Sequence, residues 1–401
     1  MKRIFSVFLS LVLVFSISVT ALAQNSISLR FGEEGTFTIL QITDPQDDHY
    51  PAPDMLRLIN LAIEESKPDL VVFTGDIVED RRSADPGVDA EDWREGVCAY
   101  DDAGNLLHEE TVANVRTACD AIFEEVEHKG IPFAVTLGNN DYQAGLDGND
   151  WLEILDDYAM NLTFDDSDDP DDRVDYTLDI LSSENGKRVF VLWMMDTEES
   201  AVTRHQLKWF RSKSKSHKNQ NGGKPIPSMV FQHIAVEDVG NLFERCHAWD
   251  DGATPSGISF YRLNRDIARG QYTAIRKPGK YTWQFKSWRD DGGVLAAFFG
   301  HYHDQGYSGT WKGIELNLTY ACQFAKSGPY GFRVITLHEE NLADYDNDQY
   351  VYEGSVFDDN EQIIKVIDEP YPVYDNFTDA FIAGFQNALY NLKRMFSRIF
   401  S

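Results

Sequence analysis

The sequence predicts an α/β protein. Three observations carry this expectation: apolar runs of strand length at 36–42, 70–73 and 132–137, intervening segments with apolar residues at helical spacing, and a break after each run at a polar, turn-forming group. Strands that alternate with helices in this way feed a sheet whose loops gather at one rim.

In chain order, 27–30 and 36–42 read as two strands joined by a Gly-Glu-Glu-Gly turn at 32–35. Pro53 and Asp54 open a helix that carries Met55, Leu56, Ile59, Ala62 and Ile63 on one face, and Pro68 ends it. The run at 70–73 is continuous in apolar residues, as expected of a strand buried on both faces, and stops at Gly75-Asp76. Residues 79–110 are polar and irregular, a surface insertion. Val112, Val115, Cys119, Ile122, Phe123 and Val126 share one helix face that Gly130 closes, and the next strand stops at Gly138-Asn139-Asn140-Asp141.

Further strands are expected at 176–180, 188–195 and 227–231, the last ending at Gln232-His233, with a helix at 205–214. Residues 240–284 form a long aromatic-rich excursion, read as a rim over a site. The run at 294–299 leads into Gly300-His301-Tyr302-His303, and strands at 314–318 and 332–337 are expected to close a second sheet. Asp344, Asp346 and Asp348 alternate like a calcium loop, but lack the glycine and distal glutamate of an EF-hand.

The termini differ in kind. Met1-Lys2-Arg3, the apolar stretch 4–19 and Ala21-Leu22-Ala23 together read as a secretory signal peptide over residues 1–23, so the chain is expected to be secreted. Residues 26–340 read as one catalytic domain and 341–375 as an acidic extension. At 376–401 an amphipathic helix is expected, with Phe377, Phe381, Phe385, Leu389 and Leu392 on one face. It either docks on its own domain or makes a peripheral contact with an envelope surface or partner.

Sixty-six acidic residues against 36 basic give a formal net charge of −30, which repels polyanions and argues against a nucleic-acid partner. Cys98, Cys119, Cys246 and Cys322 allow three disulfide pairings, or free thiols; Cys119 on a helix's apolar face suits a buried thiol.

The strand ends collect Asp44, Gln46, Asp76, Asn139, His233, His301 and His303. Carboxylate, amide and imidazole donors together suit manganese, zinc or iron. Two such ions about 3.5–4 Å apart activate water and neutralise phosphoryl oxygens.

The spaced set Asp44-Pro45-Gln46, Gly75-Asp76, Gly138-Asn139-Asn140-Asp141, Gln232-His233 and Gly300-His301-Tyr302-His303 resembles the calcineurin-like metallophosphoesterase superfamily, in its purple-acid-phosphatase-related branch. The resemblance implies a four-layer α/β/β/α sandwich with two mixed β-sheets and two divalent or trivalent metal ions. It implies that Asp44, Asp76 and His303 hold one ion and Asn139, His233 and His301 the other, with Asp76 bridging. The implied activity is hydrolysis of phosphate mono- or diesters, small phosphorylated molecules among them, by a metal-bound hydroxide.

Two residues depart from the superfamily pattern. Gln46 replaces a histidine; either its amide oxygen ligates, or Asp47, Asp48 or His49 compensates. Asn140 replaces the catalytic histidine, and an amide cannot supply a proton to a leaving group. Two readings follow: a phosphoesterase that favours good leaving groups, or a pseudo-phosphatase that binds a phosphorylated ligand or a cell-surface partner.

Overall fold

A computed structural model describes residues 27–81, 96–272, 274–275, 280–324, 329–352 and 364–366. The first third of the chain follows the expected alternation: β1 (Thr36–Ile42), α1 (Pro53–Ser66), β2 (Leu70–Thr74), α2 (His108–Lys129) and β3 (Phe133–Thr136). Pro53 starts α1, where its missing N–H is not needed, and Lys67 turns left-handed before Pro68 to end it. Two short helices follow, α3 (Asn139–Gln143) and α4 (Gly148–Leu155).

The middle third holds β4 (Tyr176–Leu181), β5 (Arg188–Met194), α5 (Arg204–Gln220) and β6 (Ser228–Phe231). Thr203 and Gln206 cap α5 reciprocally, each side chain accepting the other's backbone N–H. The aromatic-rich excursion is ordered around β7 (Phe243–Cys246), β8 (Thr254–Ser256), β9 (Ser259–Leu263) and β10 (Ala268–Tyr272). The chain continues through α6 (Gln284–Asp291), β11 (Val294–Phe299), β12 (Gln305–Trp311), β13 (Ile314–Leu318), β14 (Tyr330–His338), β15 (Asp346–Tyr352) and β16 (Ile364–Val366).

Among the described residues these strands form two large mixed sheets, ordered β16-β15-β14-β1-β2-β3 and β10-β12-β13-β11-β6-β5-β4, and a small β7-β9-β8 sheet. Alternation along the strands shows the layering. Phe190, Leu192, Met194, Met229, Phe231, Ala296 and Phe298 join the core shared with the first sheet and with α1 and α2. Their neighbours Val191, Trp193, Val230, Ala297 and Phe299 point the other way, onto Leu207, Phe210, Phe285 and Trp288 of α5 and α6. The order is helices, sheet, sheet, helices, the four-layer sandwich implied by the motifs.

The structure redraws four local expectations. Leu29 and Phe31 are buried while Ser28 and Arg30 are exposed, so the alternation at 27–30 is real, but this stretch makes only a single bridge, Arg30 to Leu181, rather than a ladder with β1. Strands β13 and β14 belong to different sheets, because β14 returns antiparallel to β1 and β13 runs parallel to β11. Asp346 and Asp348 alternate because they lie on β15, with Asn347 and Gln349 facing inward; no calcium loop forms. Within the segment read as an acidic extension, β15 and β16 form an edge of the first sheet.

The four cysteines are free thiols, and Cys119 and Cys322 are buried. Among the described residues no helix is long and apolar enough to cross a membrane. The expected signal peptide, the expected C-terminal helix and part of the polar insertion lie outside the described residues.

Candidate metal centre

Strands β1, β2 and β3 run parallel in one sheet, as do β5, β6 and β11 in the other, so each set delivers its following loops to one end. The loops after β1 and β2 stay paired beyond the strands: Asp44 N–H donates to Gly75 O at 3.0 Å and Gln46 N–H to Asp76 O at 2.9 Å. Asp44, Gln46, Asp76 and His301 all adopt positive φ, between 41° and 70°. This conformation costs a non-glycine residue roughly 1–2 kcal/mol, and strain gathered at one rim marks a functional site. Gly300 has no side chain because a Cβ there would collide with Thr43 Oγ1 and lie 2.6 Å from Asp44 Oδ2.

Asp76 stands at the centre. Its Oδ2 lies 3.1 Å from His233 Nε2, and its Oδ1 accepts the Asn140 N–H at 2.8 Å. His233 Nδ1 is 2.8 Å from Thr74 O, a geometry that places a proton there and turns Nε2 towards the cluster. His301 Nδ1 is 3.2 Å from that Nε2. Asp44 is polarised similarly. Its Oδ2 accepts Thr43 Oγ1–H at 2.6 Å and His301 N–H at 3.0 Å, while Oδ1 faces His303 Nε2 at 3.3 Å and accepts no hydrogen bond. Among the described residues two groups could each surround a cation: Asp76, His233 and His301, and Asp44, Asp76 and His303. They share Asp76.

The electrostatics call for positive charge. Burial alone would lower the His233 imidazolium, but the Asp76 and Asp44 carboxylates outweigh it and raise it to about 10. Burial would raise Asp44, yet the charge of His233, the nearby His303 ring and the hydrogen bond from Thr43 hold it well below the usual carboxylate range. Burial, aided by the charge on His233, lowers His301 to about 4. Protons here do what a cation would do.

The amides take their own places. Asn139 Nδ2 donates to Asn140 Oδ1 at 2.7 Å, and Asn139 Oδ1 is buried without a hydrogen-bond partner. Gln46 is buried and meets His303 through Gln323, whose Nε2 is 3.0 Å from Gln46 Oε1 and 2.7 Å from His303 Nδ1. Asp47 accepts the N–H groups of Asp48 and Ala52, and Asp48 accepts that of Tyr50, so both acids shape the entry to α1. They are absent from the two cation-sized groups, as is His49.

Sequence reasoning assigned no role to Asp141 or Gln323. Asp141 accepts Ile77 N–H and Gly138 N–H, both at 2.8 Å, and so ties the loop after β2 to α3. Its position in the Gly-Asn-Asn-Asp motif was a usable signal. Gln323 sits in an irregular segment with no motif around it. Asp196, at the end of β5, bonds Tyr142 of α3 and accepts Val174 N–H at 3.0 Å, so it braces the helix that carries Asn139 and Asn140. His217 is buried against Trp193, and His338 pairs with Asp346 at 3.0 Å; these are structural positions.

The donor set fits divalent or trivalent cations. Asp44 Oδ1 and Asn139 Oδ1 are buried without hydrogen bonds, and Thr74 O holds the His233 ring with Nε2 towards Asp76, where a cation could replace its proton.

The family model for calcineurin-like phosphoesterases matches residues 37–305. A curated relative from Arabidopsis thaliana, named probable inactive purple acid phosphatase 28, is 22% identical over 330 residues, which cover 72% of this chain and 71% of that one. A dimetal phosphatase from Danio rerio is similar in structure with 12% identity and a TM-score of 0.44, over 83% of this chain and 98% of its own. GAP50, the anchor in the inner membrane complex of Plasmodium, gives 13% and 0.43, over 87% and 94%.

Two predictions follow from this geometry. Gly300→Ala should lower metal affinity at least about tenfold in a calorimetric titration, since the new methyl displaces a carboxylate that must be held in place; wild-type affinity would contradict the close approach. The second concerns pH. Burial and the charge of Asp76 raise Asp141 to about 8, so both Asp141 and His233 bind protons more tightly in the folded chain than in the unfolded one. Stability of the chelator-treated protein should therefore fall as pH rises from neutrality to about 10. Thermal melting should show this loss, reduced when metal is bound; a melting temperature that climbs over the same range would contradict the charge assignment.

Proposed function

The chain belongs to the calcineurin-like phosphoesterase family, and on that premise we propose that it is a secreted hydrolase of phosphate esters with a dinuclear metal site. Asp44, Gln46, Asp76 and His303 would hold one ion, and Asp76, Asn139, His233 and His301 the other. The observation that supports this most directly is the pair of cation-sized groups sharing the Asp76 carboxylate. Bound there, manganese, zinc or iron would supply a water of lowered pKa and neutralise phosphoryl oxygens.

The chain's own residues do the rest. Asp76 keeps the two sets of ligands together, and Thr43 and His301 N–H fix one Asp44 oxygen so that the other points at the site. His233 is held by Thr74 O in the tautomer that ligates. Asn140 is fastened to Asp76 by its backbone N–H and is nearly buried, so its amide can orient a phosphoryl oxygen by hydrogen bonding but cannot protonate a leaving group. Substrates with stable leaving groups, aryl esters and anhydrides, fit such a site best.

The second reading is a pseudo-phosphatase that retains metal and binds a phosphorylated ligand. Asn140 in the acid's position favours it, and so does the name of the Arabidopsis relative. Export rests on the basic, apolar and small-residue pattern of residues 1–23.

Mono- and bis-aryl phosphates should be hydrolysed by the metal-loaded mature chain, and Asp76→Asn should reduce the rate to background. Asn140→His should raise the rate on alkyl phosphates by about 10²-fold or more, the usual contribution of a general acid. No aryl turnover from a chain carrying two ions would establish the binding reading instead.

A further inference from the structure

We infer that Gln323 is a positioning residue that aims two metal ligands with one amide oxygen: it holds His303 with its proton on Nδ1 and Gln46 with its own oxygen freed for the ion. The inference rests on the reading that Asp44, Gln46, Asp76 and His303 hold a metal.

The segment that carries Gln323 is stitched to both ligand loops. Cys322 N–H donates to Thr43 O at 2.9 Å, Gln323 N–H to Asp44 O at 3.1 Å, and Ala321 N–H to His303 O at 3.1 Å. The side chain is buried, with Nε2 between His303 Nδ1 at 2.7 Å and Gln46 Oε1 at 3.0 Å, while Oε1 is buried without a hydrogen-bond partner. In this setting Gln323 is a donor to two ligand residues.

Metal binding requires the opposite polarity. His303 faces Asp44 Oδ1 through Nε2, so Nε2 must offer its lone pair to the ion and the proton must sit on Nδ1. That N–H needs an acceptor 2.7 Å away, and an amide NH₂ cannot be one. A half-turn of the Gln323 amide puts Oε1 there and exchanges the two hydrogen bonds that Nε2 donates for two that Oε1 accepts. The same oxygen has a second lone pair, 3.0 Å from the Gln46 amide. Gln46 then donates through Nε2 and turns its oxygen away from Gln323, free to ligate.

A histidine at position 46 would ligate through a ring nitrogen and has no amide to orient. A glutamine presents either an oxygen or an NH₂ group, and only the oxygen binds a cation. Gln323 removes that ambiguity, which makes it a counterpart of the Gln46 substitution.

The test compares the mature chain with its Gln323→Leu and Gln323→Glu variants, each freed of metal and titrated calorimetrically with zinc. Gln323→Leu should weaken one of two ions by about 10–100-fold and leave the other within about threefold, while Gln323→Glu, whose carboxylate accepts both protons, should restore the wild-type value. In ¹⁵N-histidine NMR of the zinc-loaded protein, His303 should carry its proton on Nδ1 in the wild type and in Gln323→Glu. Equal weakening of both ions, an unchanged Gln323→Leu, or Gln323→Glu no better than Gln323→Leu would each overturn the inference. Since ion binding is read and not turnover, failure of the phosphoesterase reading alone leaves the comparison intact. A wild-type chain that takes up no ion overturns the inference.

Discussion

Asp44 and Asp76 are almost completely withdrawn from water, on neighbouring loops, where burying two carboxylates is costly unless positive charge lies beside them. The rest of the site is organised around that need. Imidazoles from the second sheet stand nearest to them, His233 3.1 Å from Asp76 and His303 3.3 Å from Asp44. Remaining lone pairs on Asp44 and Asn139 have no proton to accept. A protein gains nothing in stability by burying two acids this way without a cation, and the positive φ values of Asp44, Gln46, Asp76 and His301 add to the cost. Strain gathered at one rim marks a candidate site rather than a folding requirement.

The sandwich architecture makes the convergence possible. Asp44 and Asp76 come from the first sheet and His233, His301 and His303 from the second, so the face-to-face packing of the sheets is what brings the ligands together. The buried polar bridge from Gln41 to Thr74 and Thr319, with Arg333 bonded to Thr319, ties the sheets together beneath the site. Because every member is bonded, it fixes register between the sheets as apolar contacts alone cannot.

Much of this was legible in the sequence, for physical reasons. Continuous apolar runs at 70–73 and 294–299 are of strand length and suit a sheet covered on both faces, and a glycine followed by a candidate ligand residue marks where each leaves its sheet. Long helices with one apolar face, such as α2, were equally plain. What stayed hidden depends on partners far along the chain. Residues 27–30 alternate as a strand should, yet their ladder is cut to one bridge. The aspartates at 346 and 348 alternate because of a strand that only β14 creates. Gln323 lies in an irregular stretch, and nothing local distinguishes it from any other loop amide; its importance comes from Gln46, 277 residues away.

Asn140 and Gln46 depart from the family pattern, while two candidate cation-holding groups share Asp76. The account therefore stands or falls on whether Asp76 bridges two ions. The most direct measurement is an anomalous difference map from crystals of the chain without residues 1–23, soaked in manganese. Two peaks about 3.5–4 Å apart on either side of the Asp76 carboxylate are the predicted result. A single peak, or none at full solution loading, would contradict it.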